Sequence, residues 1–405
     1  MAYRWVEGGE VGRVSQARSL EEAIDRASKL VPVLAARARA TEELRRIPDE
    51  TIGELLASGL FRILQPRRVG GLELPYEAIV RVTAVLGRGC GSTAWVTANI
   101  ANHDFMLALW PKEAQDEVWQ GNNAALIGSA LMFPPGKAAR VAGGYRLSGR
   151  WKFSSGIDAC TWTMLGGIAS ADGELPDYRV FLLPASDYHI IDTWHAAGLR
   201  GTGSNDVEVK DVFVPEHRAL SVDLMKGCSA PGAGVNPGAL YRLPVFDMFP
   251  YVVAAASLGI AQGAVAQFAE ETKHRVTTYS TTLLSDHATT QARLGQAAAA
   301  VDTAEMLLIQ RCQYAMAAAE EARVPSRAEK IRLRRDGAYA ALLCTRAVDR
   351  LFEAGGGEFL YDQKVMQRAF RDIHAAQGHY ALAWDVAAST AGKFMLGIAP
   401  DTPTL

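Results

Sequence analysis

Tyr145-Arg146-Leu147-Ser148-Gly149-Arg150-Trp151-Lys152-Phe153 (residues 145–153) alternates in character. Arg146, Ser148, Arg150 and Lys152 fall on one side. Tyr145, Leu147, Trp151 and Phe153 fall on the other, interrupted by Gly149. A period of two is that of a strand with one face buried. The same reading extends outward to residues 160–168, 178–183, 188–192 and 206–214, separated by turns rich in Gly, Pro and Asp. No regular crossover helix joins these runs, which argues against a parallel nucleotide-binding sheet. The middle third, residues 125–227, is therefore expected to be an antiparallel β domain.

Either side of it the period changes. Ala23, Ile24, Ala27, Leu30, Val31, Leu34 and Ala35 recur at three and four, giving a helix over residues 20–44. Shorter helices are expected at residues 49–58, 76–86 and 92–110. Residues 1–124 form an N-terminal helical domain in this reading. Residues 228–245 are rich in Gly and Pro and read as a linker or functional loop. Residues 246–405 then hold four long segments, 246–275, 285–322, 326–354 and 361–396, with the lengths and apolar faces of a four-helix bundle. The fold class is mostly α with a central β domain.

Composition narrows the function. The chain has 405 residues, is 49% hydrophobic and carries a formal net charge of −2, with acidic and basic residues interspersed. That balance offers no footprint for nucleic acid. Five scattered cysteines have no C-x-x-C spacing, and eight histidines form no H-E-x-x-H pair. Metal and disulfide frameworks are not expected, and the compartment is read as reducing and cytoplasmic. Residues 1–16 lack the apolar run of a signal peptide. Residues 250–269 are long and uncharged enough to span a membrane. Gln262, Gln267 and the small pair Gly259 and Gly263 favour instead the central helix of a bundle.

Several motifs lie in order along nearly the whole chain. They are Leu60-Phe61-Arg62-Ile63-Leu64 with Gly70-Gly71, Gly91-Ser92-Thr93-Ala94-Trp95, residues 148–156 (SGRWKFSSG), residues 198–204 (GLRGTGS) with Val212 to Pro215, and residues 368–372 (RAFRD). In this order they resemble the acyl-CoA dehydrogenase superfamily. The resemblance implies an N-terminal helical domain, a middle β-barrel and a C-terminal four-helix bundle. Three departures point to its flavin-dependent monooxygenases rather than its dehydrogenases. Residues 132–137 read Met-Phe-Pro-Pro-Gly-Lys where dehydrogenases carry an acidic run. No carboxylate lies between Asp372 and Asp385, where most dehydrogenases place a catalytic glutamate. Phe153-Ser154-Ser155-Gly156 has the form found in hydroxylases of aromatics.

The resemblance implies an oxygenase component that receives reduced flavin, FADH2 or FMNH2, from a separate reductase and uses O2 on a small aromatic substrate. It also implies tight binding of reduced and weak binding of oxidised flavin, and a homotetramer. By the same resemblance Ser155 faces the flavin N5 region, with Ser154 as the alternative, and Phe153 lies against the isoalloxazine. Ser129 contacts flavin or substrate, and Arg275 reaches a flavin phosphate across a subunit interface. Each has a bland competitor: a barrel-turn serine, a core aromatic or a loop residue.

Two histidines are candidates for proton transfer. His379 matches the late-chain histidine of the hydroxylases and is taken as the catalytic base. A continuous helix would put Asp372, Ala375, Ala376 and His379 on one face. His103 lines the substrate pocket by resemblance, or sits at a helix C-terminus for its dipole. Trp95 and Phe105 are pocket walls or core. An unperturbed histidine titrates near 6.5, so hydroxylation is expected to vary with pH between about 5 and 8. The competing functions are an acyl-CoA dehydrogenase and an amine N-oxygenase on the same fold.

Overall fold

The computed structural model describes residues 19–169, 175–277, 281–400 and 402–405. The N-terminal stretch read for a signal peptide lies outside them. Five helices come first: α1 (Leu20–Leu44), α2 (Asp49–Ser58), α3 (Glu77–Gly87), α4 (Gly91–Leu107) and α5 (Lys112–Trp119). The first four stand where periodicity put them. α5 is added behind Pro111, which sits at its N-cap.

Eight strands follow: β1 (Ile127–Ala130), β2 (Lys137–Val141), β3 (Gly144–Ser154), β4 (Trp162–Ala169), β5 (Asp177–Pro184), β6 (His189–Ile191), β7 (Asn205–Pro215) and β8 (Ala219–Ser221). They form one sheet in the order β6-β7-β3-β2-β4-β5-β8, with β1 added beside β4. Most pairs are antiparallel as expected, but β1 and β2 each run parallel to β4. The sequence reading missed β1, β2 and β8, which have three to five residues each and carry too few alternations to read.

The deciding stretch behaves as a strand with one change of phase. The β3–β7 register shifts between Trp151 and Ser154, a bulge. Phe153 takes a left-handed φ of 66° there. Strict alternation would send Phe153 inward with Trp151. The extra residue reverses the phase, so Phe153 is 59% exposed while Ser154 is fully buried. Phe153 is thus not barrel core.

Three long helices complete the core: α6 (Val245–His274), α7 (Ala288–Glu320) and α8 (Arg327–Gly355). α6 alone among the described residues has the length and hydropathy of a membrane span. Its residues 252–256 are nevertheless fully buried within the protein. The paired glycines explain how. A Cβ on Gly259 would lie 2.4 Å from the Ala84 carbonyl oxygen, and one on Gly263 3.1 Å from that of Arg88. Glycine lets α6 close onto α3 and the turn after it.

The fourth bundle segment departs from expectation. Instead of one helix over residues 361–396 there are two, α9 (Val365–Gln377) and α10 (Trp384–Met395). Gly378 closes α9 with its N–H on the His374 and Ala375 carbonyls. His379 leaves the helix at φ −71° and ψ 134° and caps the next turn through its own side chain. A side chain that satisfies nearby backbone competes with helix continuation. His379 therefore does not share a helix face with Asp372.

Gly259→Ala should destabilise the protein by about 1–3 kcal/mol through overpacking against α3. Gly295→Ala, with nothing within 4 Å of its Cβ in α7, should be neutral or stabilising by up to about 1 kcal/mol. Chemical denaturation of both variants checks the contrast.

Candidate active site

α4 carries the site's central stripe. Trp95, Asn99 and His103 follow at i, i+4 and i+8, so they face one way. All three are buried. Asn99 Nδ2 donates to the Trp95 carbonyl at 2.8 Å. The stripe meets the sheet at both ends. Trp95 Nε1 donates to Ser155 Oγ at 3.0 Å, in the turn after β3. His103 Nδ1 lies 2.6 Å from the Ile127 carbonyl oxygen of β1.

A carbonyl only accepts, so the proton of neutral His103 sits on Nδ1. That leaves Nε2 with an open lone pair, and Nε2 is buried with no hydrogen-bond partner. Burial pushes the His103 pKa down to about 4, so the ring is neutral near pH 7. Of the two roles considered for His103, the dipole role is not the one seen: the imidazole bonds a strand carbonyl, one turn before the helix ends.

His379 is the complement. Its ring stacks on Phe249 at 5.7 Å and meets Trp95 edge-on at 5.7 Å. Nδ1 accepts the Ala381 backbone N–H at 3.1 Å. In the neutral ring Nε2 must then carry the proton, making it a donor without a free lone pair. Burial also lowers this pKa to about 4. Both values fall below the window of pH 5–8 expected from an unperturbed imidazole.

Ser154, fully buried with an unpartnered Oγ, points toward β1, where its Oγ would be 3.5 Å from a Cβ on Gly128. Ser155 is half-buried, and its Oγ also bonds Ser204 Oγ at 2.8 Å. Phe153 lies on the outer side, its ring 6.3 Å edge-on from Trp194. Ser129 is half-buried in the middle of β1. Phe105 is fully buried against Tyr76 at 5.5 Å, a core contact. Arg275 stands at the C-cap of α6, its guanidinium 5.7 Å from the Phe359 ring and its Nη1 buried without a partner.

Trp95, Ser155, Phe249 and His379 thus come together. His103 and Ser154 lie further along the same α4–sheet seam, and Arg275 belongs to a separate corner. Sequence reasoning gave no role to Asn99, Phe249, Thr202 or Ser204. The last two stood inside the quoted GLRGTGS motif. Phe249 had no signal beyond its place in the first turns of α6, just before the uncharged residues 250–269. Among the described residues no cluster of His, Cys, Asp and Glu is built to hold a metal.

These residues fit a flavin. The orphaned Arg275 Nη1 is a donor suited to a phosphate. The exposed Phe153 with Trp194 offers an aromatic surface, and Ser155 a hydroxyl.

Comparison with known proteins agrees. The acyl-CoA dehydrogenase N-terminal domain matches residues 19–124, and the C-terminal domain residues 251–384. The oxygenase subunit HsaA, a flavin-dependent monooxygenase of Mycobacterium tuberculosis, is 38% identical over 95% of this chain and 97% of its own. The p-hydroxyphenylacetate 3-hydroxylase oxygenase component of Acinetobacter baumannii is 32% identical over 94% of this chain and 90% of its own. The crystal structure of M. tuberculosis HsaA superposes with a TM-score of 0.90 at 36% identity, covering 96% of this chain and 100% of that one. XiaF from Streptomyces, solved with FADH2 and glycerol, superposes with a TM-score of 0.88 at 32% identity, covering 95% and 98%.

The tautomers are directly measurable. Nitrogen-15 NMR of the histidine rings should find His103 protonated on Nδ1 and His379 on Nε2, both unchanged from pH 8 to about pH 5. A ring titrating near 6.5 would contradict the burial argument. The chain belongs to the acyl-CoA dehydrogenase superfamily and, within it, to the oxygenase components of flavin-dependent monooxygenases, which work with reduced flavin and O2.

Proposed function

We propose that this oxygenase component hydroxylates a small aromatic substrate, with His103 as the base. The observation that carries the reading is the buried, unpartnered Nε2 of His103. A neutral imidazole with an open lone pair can take the proton of a phenol or of an equivalent ring N–H, raising electron density on the ring to be oxygenated. Sequence reasoning gave this role to His379. The Ala381 N–H on its Nδ1 favours a different one: Nε2–H donates to an oxygen that gains negative charge.

Reduced flavin, when bound, supplies two electrons to O2, so that one oxygen atom enters the substrate and the other leaves as water. The chain's part is to place the reactants and keep the site dry. α4, buried along its full length, forms the wall that excludes water. Ser155, open on one side, faces the flavin, and Arg275 holds a phosphate. Flavin arrives already reduced from a separate reductase. Relatives of this size and similarity include an FADH2-dependent resorcinol hydroxylase and the p-hydroxyphenylacetate enzyme, both acting on phenols by name.

The working unit is a homotetramer in this reading. Leu360, Tyr361, Tyr380, Met395, Leu396 and Ile398 are each more than half exposed. Apolar exposure on this scale marks a surface for another subunit.

Two measurements check the proposal. His103→Asn keeps a donor for the Ile127 carbonyl and removes the imidazole base. Hydroxylation of a phenol panel should slow roughly 10²–10⁴-fold, with H2O2 released in its place; a wild-type rate would sink the assignment. Light scattering at micromolar concentration should give four times the chain mass, and a monomer would overturn the assembly.

A further inference from the structure

The turn after β3 and the residues before β7 are joined by a chain of hydroxyls. Trp95 Nε1 donates to Ser155 Oγ at 3.0 Å. Ser155 Oγ and Ser204 Oγ are 2.8 Å apart. Ser204 Oγ and Thr202 Oγ1 are 2.6 Å apart. Thr202 Oγ1 donates to the Leu199 carbonyl at 2.9 Å, an oxygen that also accepts Trp194 Nε1 at 3.0 Å. Leu199, at a left-handed φ of 48°, is held from its other side by Asp372 Oδ1, 2.7 Å from its N–H.

Counting protons sets the direction. Each hydroxyl has one proton and two lone pairs, and a carbonyl only accepts. With the Thr202 proton on Leu199 O, Ser204 donates to Thr202, and Ser155 donates to Ser204. Ser155 then takes the Trp95 N–H on one lone pair and keeps the second free. On its open side Ser155 is an acceptor. Turning it into a donor reverses all three hydroxyls and gives up the Thr202–Leu199 bond. Thr202 and Ser204 are buried, at 1% and 5% exposure, so water does not replace what is lost.

We propose that Thr202 and Ser204 are positioning residues that hold Ser155 as an acceptor and thereby select reduced over oxidised flavin. The idea rests on the reading that Ser155 faces the flavin N5. Reduced flavin carries an N–H at N5, which meets the open lone pair with the chain as it stands. Oxidised flavin carries a lone pair there and gains a hydrogen bond only by reversing the chain. The preference amounts to one hydrogen bond. It also lets spent, oxidised flavin leave without any movement of the backbone.

The test is equilibrium binding of oxidised and reduced flavin, the latter without oxygen, to the full-length protein. Ser204→Ala frees the Ser155 proton, and Thr202→Val, close to isosteric, removes the carbonyl-directed end of the chain. In both, oxidised flavin should bind about three- to tenfold more tightly, the scale of one net hydrogen bond. Reduced flavin should change little. Thr202→Ser keeps the hydroxyl and should restore the wild-type ratio. General damage to the site weakens both forms, so a gain for the oxidised form is specific to the chain.

A wild-type ratio in Ser204→Ala and Thr202→Val, or weaker binding of both forms, overturns the proposal. Ser155→Ala separates the levels. If it leaves the ratio unchanged, Ser155 does not face N5, and that reading falls together with the chain. If it changes the ratio while the other two do not, only the chain falls.

Discussion

α4 is a helix buried on every side, and the rest of the molecule is arranged around satisfying it. All seventeen of its residues are buried, although Asn99, Asn102, His103 and Asp104 are polar. A helix with no solvent face draws its hydrogen-bond partners from the protein, and Thr93 Oγ1, Asn102 Nδ2 and His103 Nε2 are left without one. Tyr76 donates to Asn102 from the N-terminal helices. The β domain supplies Ile127 for His103 and Ser155 for Trp95. Ser92 Oγ accepts the Gly201 N–H from the loop before β7. On the bundle side Gly91 brings the backbone so close that a Cβ would lie 2.8 Å from Ile260. One helix thus fixes the mutual positions of three structural layers, and the active site is the seam along it.

The functional groups owe their chemistry to that arrangement. Both histidines are kept neutral by burial, so neither is distinguished by charge. What separates them is the backbone group each one meets: a carbonyl on Nδ1 for His103 and an N–H on Nδ1 for His379. The first leaves a base and the second a donor. Two rings of the same type thereby acquire opposite tautomers within one site. Asp372 shows the same dependence on surroundings. Its carboxyl is pushed up to about 7 by burial, even though the Leu199 N–H favours the charged form.

Backbone irregularities do comparable work at the edge formed by Phe153, Ser155 and Leu199. Phe153 and Leu199 both hold left-handed conformations, which cost side-chain-bearing residues of order 1–3 kcal/mol. They persist because neighbouring contacts over-determine them. The bulge at Phe153 sends one aromatic ring outward and Ser154 inward, and the turn that follows brings Ser155 to the indole of Trp95. Leu199 turns its carbonyl toward Trp194 and Thr202 and its N–H toward Asp372. Strain in both segments is adjacent to the residues proposed to meet the cofactor.

The helix–sheet–helix order was legible in the chain, because periods of 3.6 and 2 persist over many residues. α1, α2 and the longer strands appear where their spacing put them. The glycine pair in α6 was legible as a close helix contact, since only a missing side chain permits it. Motif order was enough to point to the family. The rest depended on contacts between residues far apart in the chain. The break at Gly378 and the cap formed by His379 remove that residue from a helix face that periodicity had drawn. The phase of Phe153 follows from a bulge measured against β7, which local alternation does not encode. The tautomers and the direction of the hydroxyl chain follow from which groups lie opposite each side chain, and for His103 and Ser155 those groups meet only when distant segments pack together.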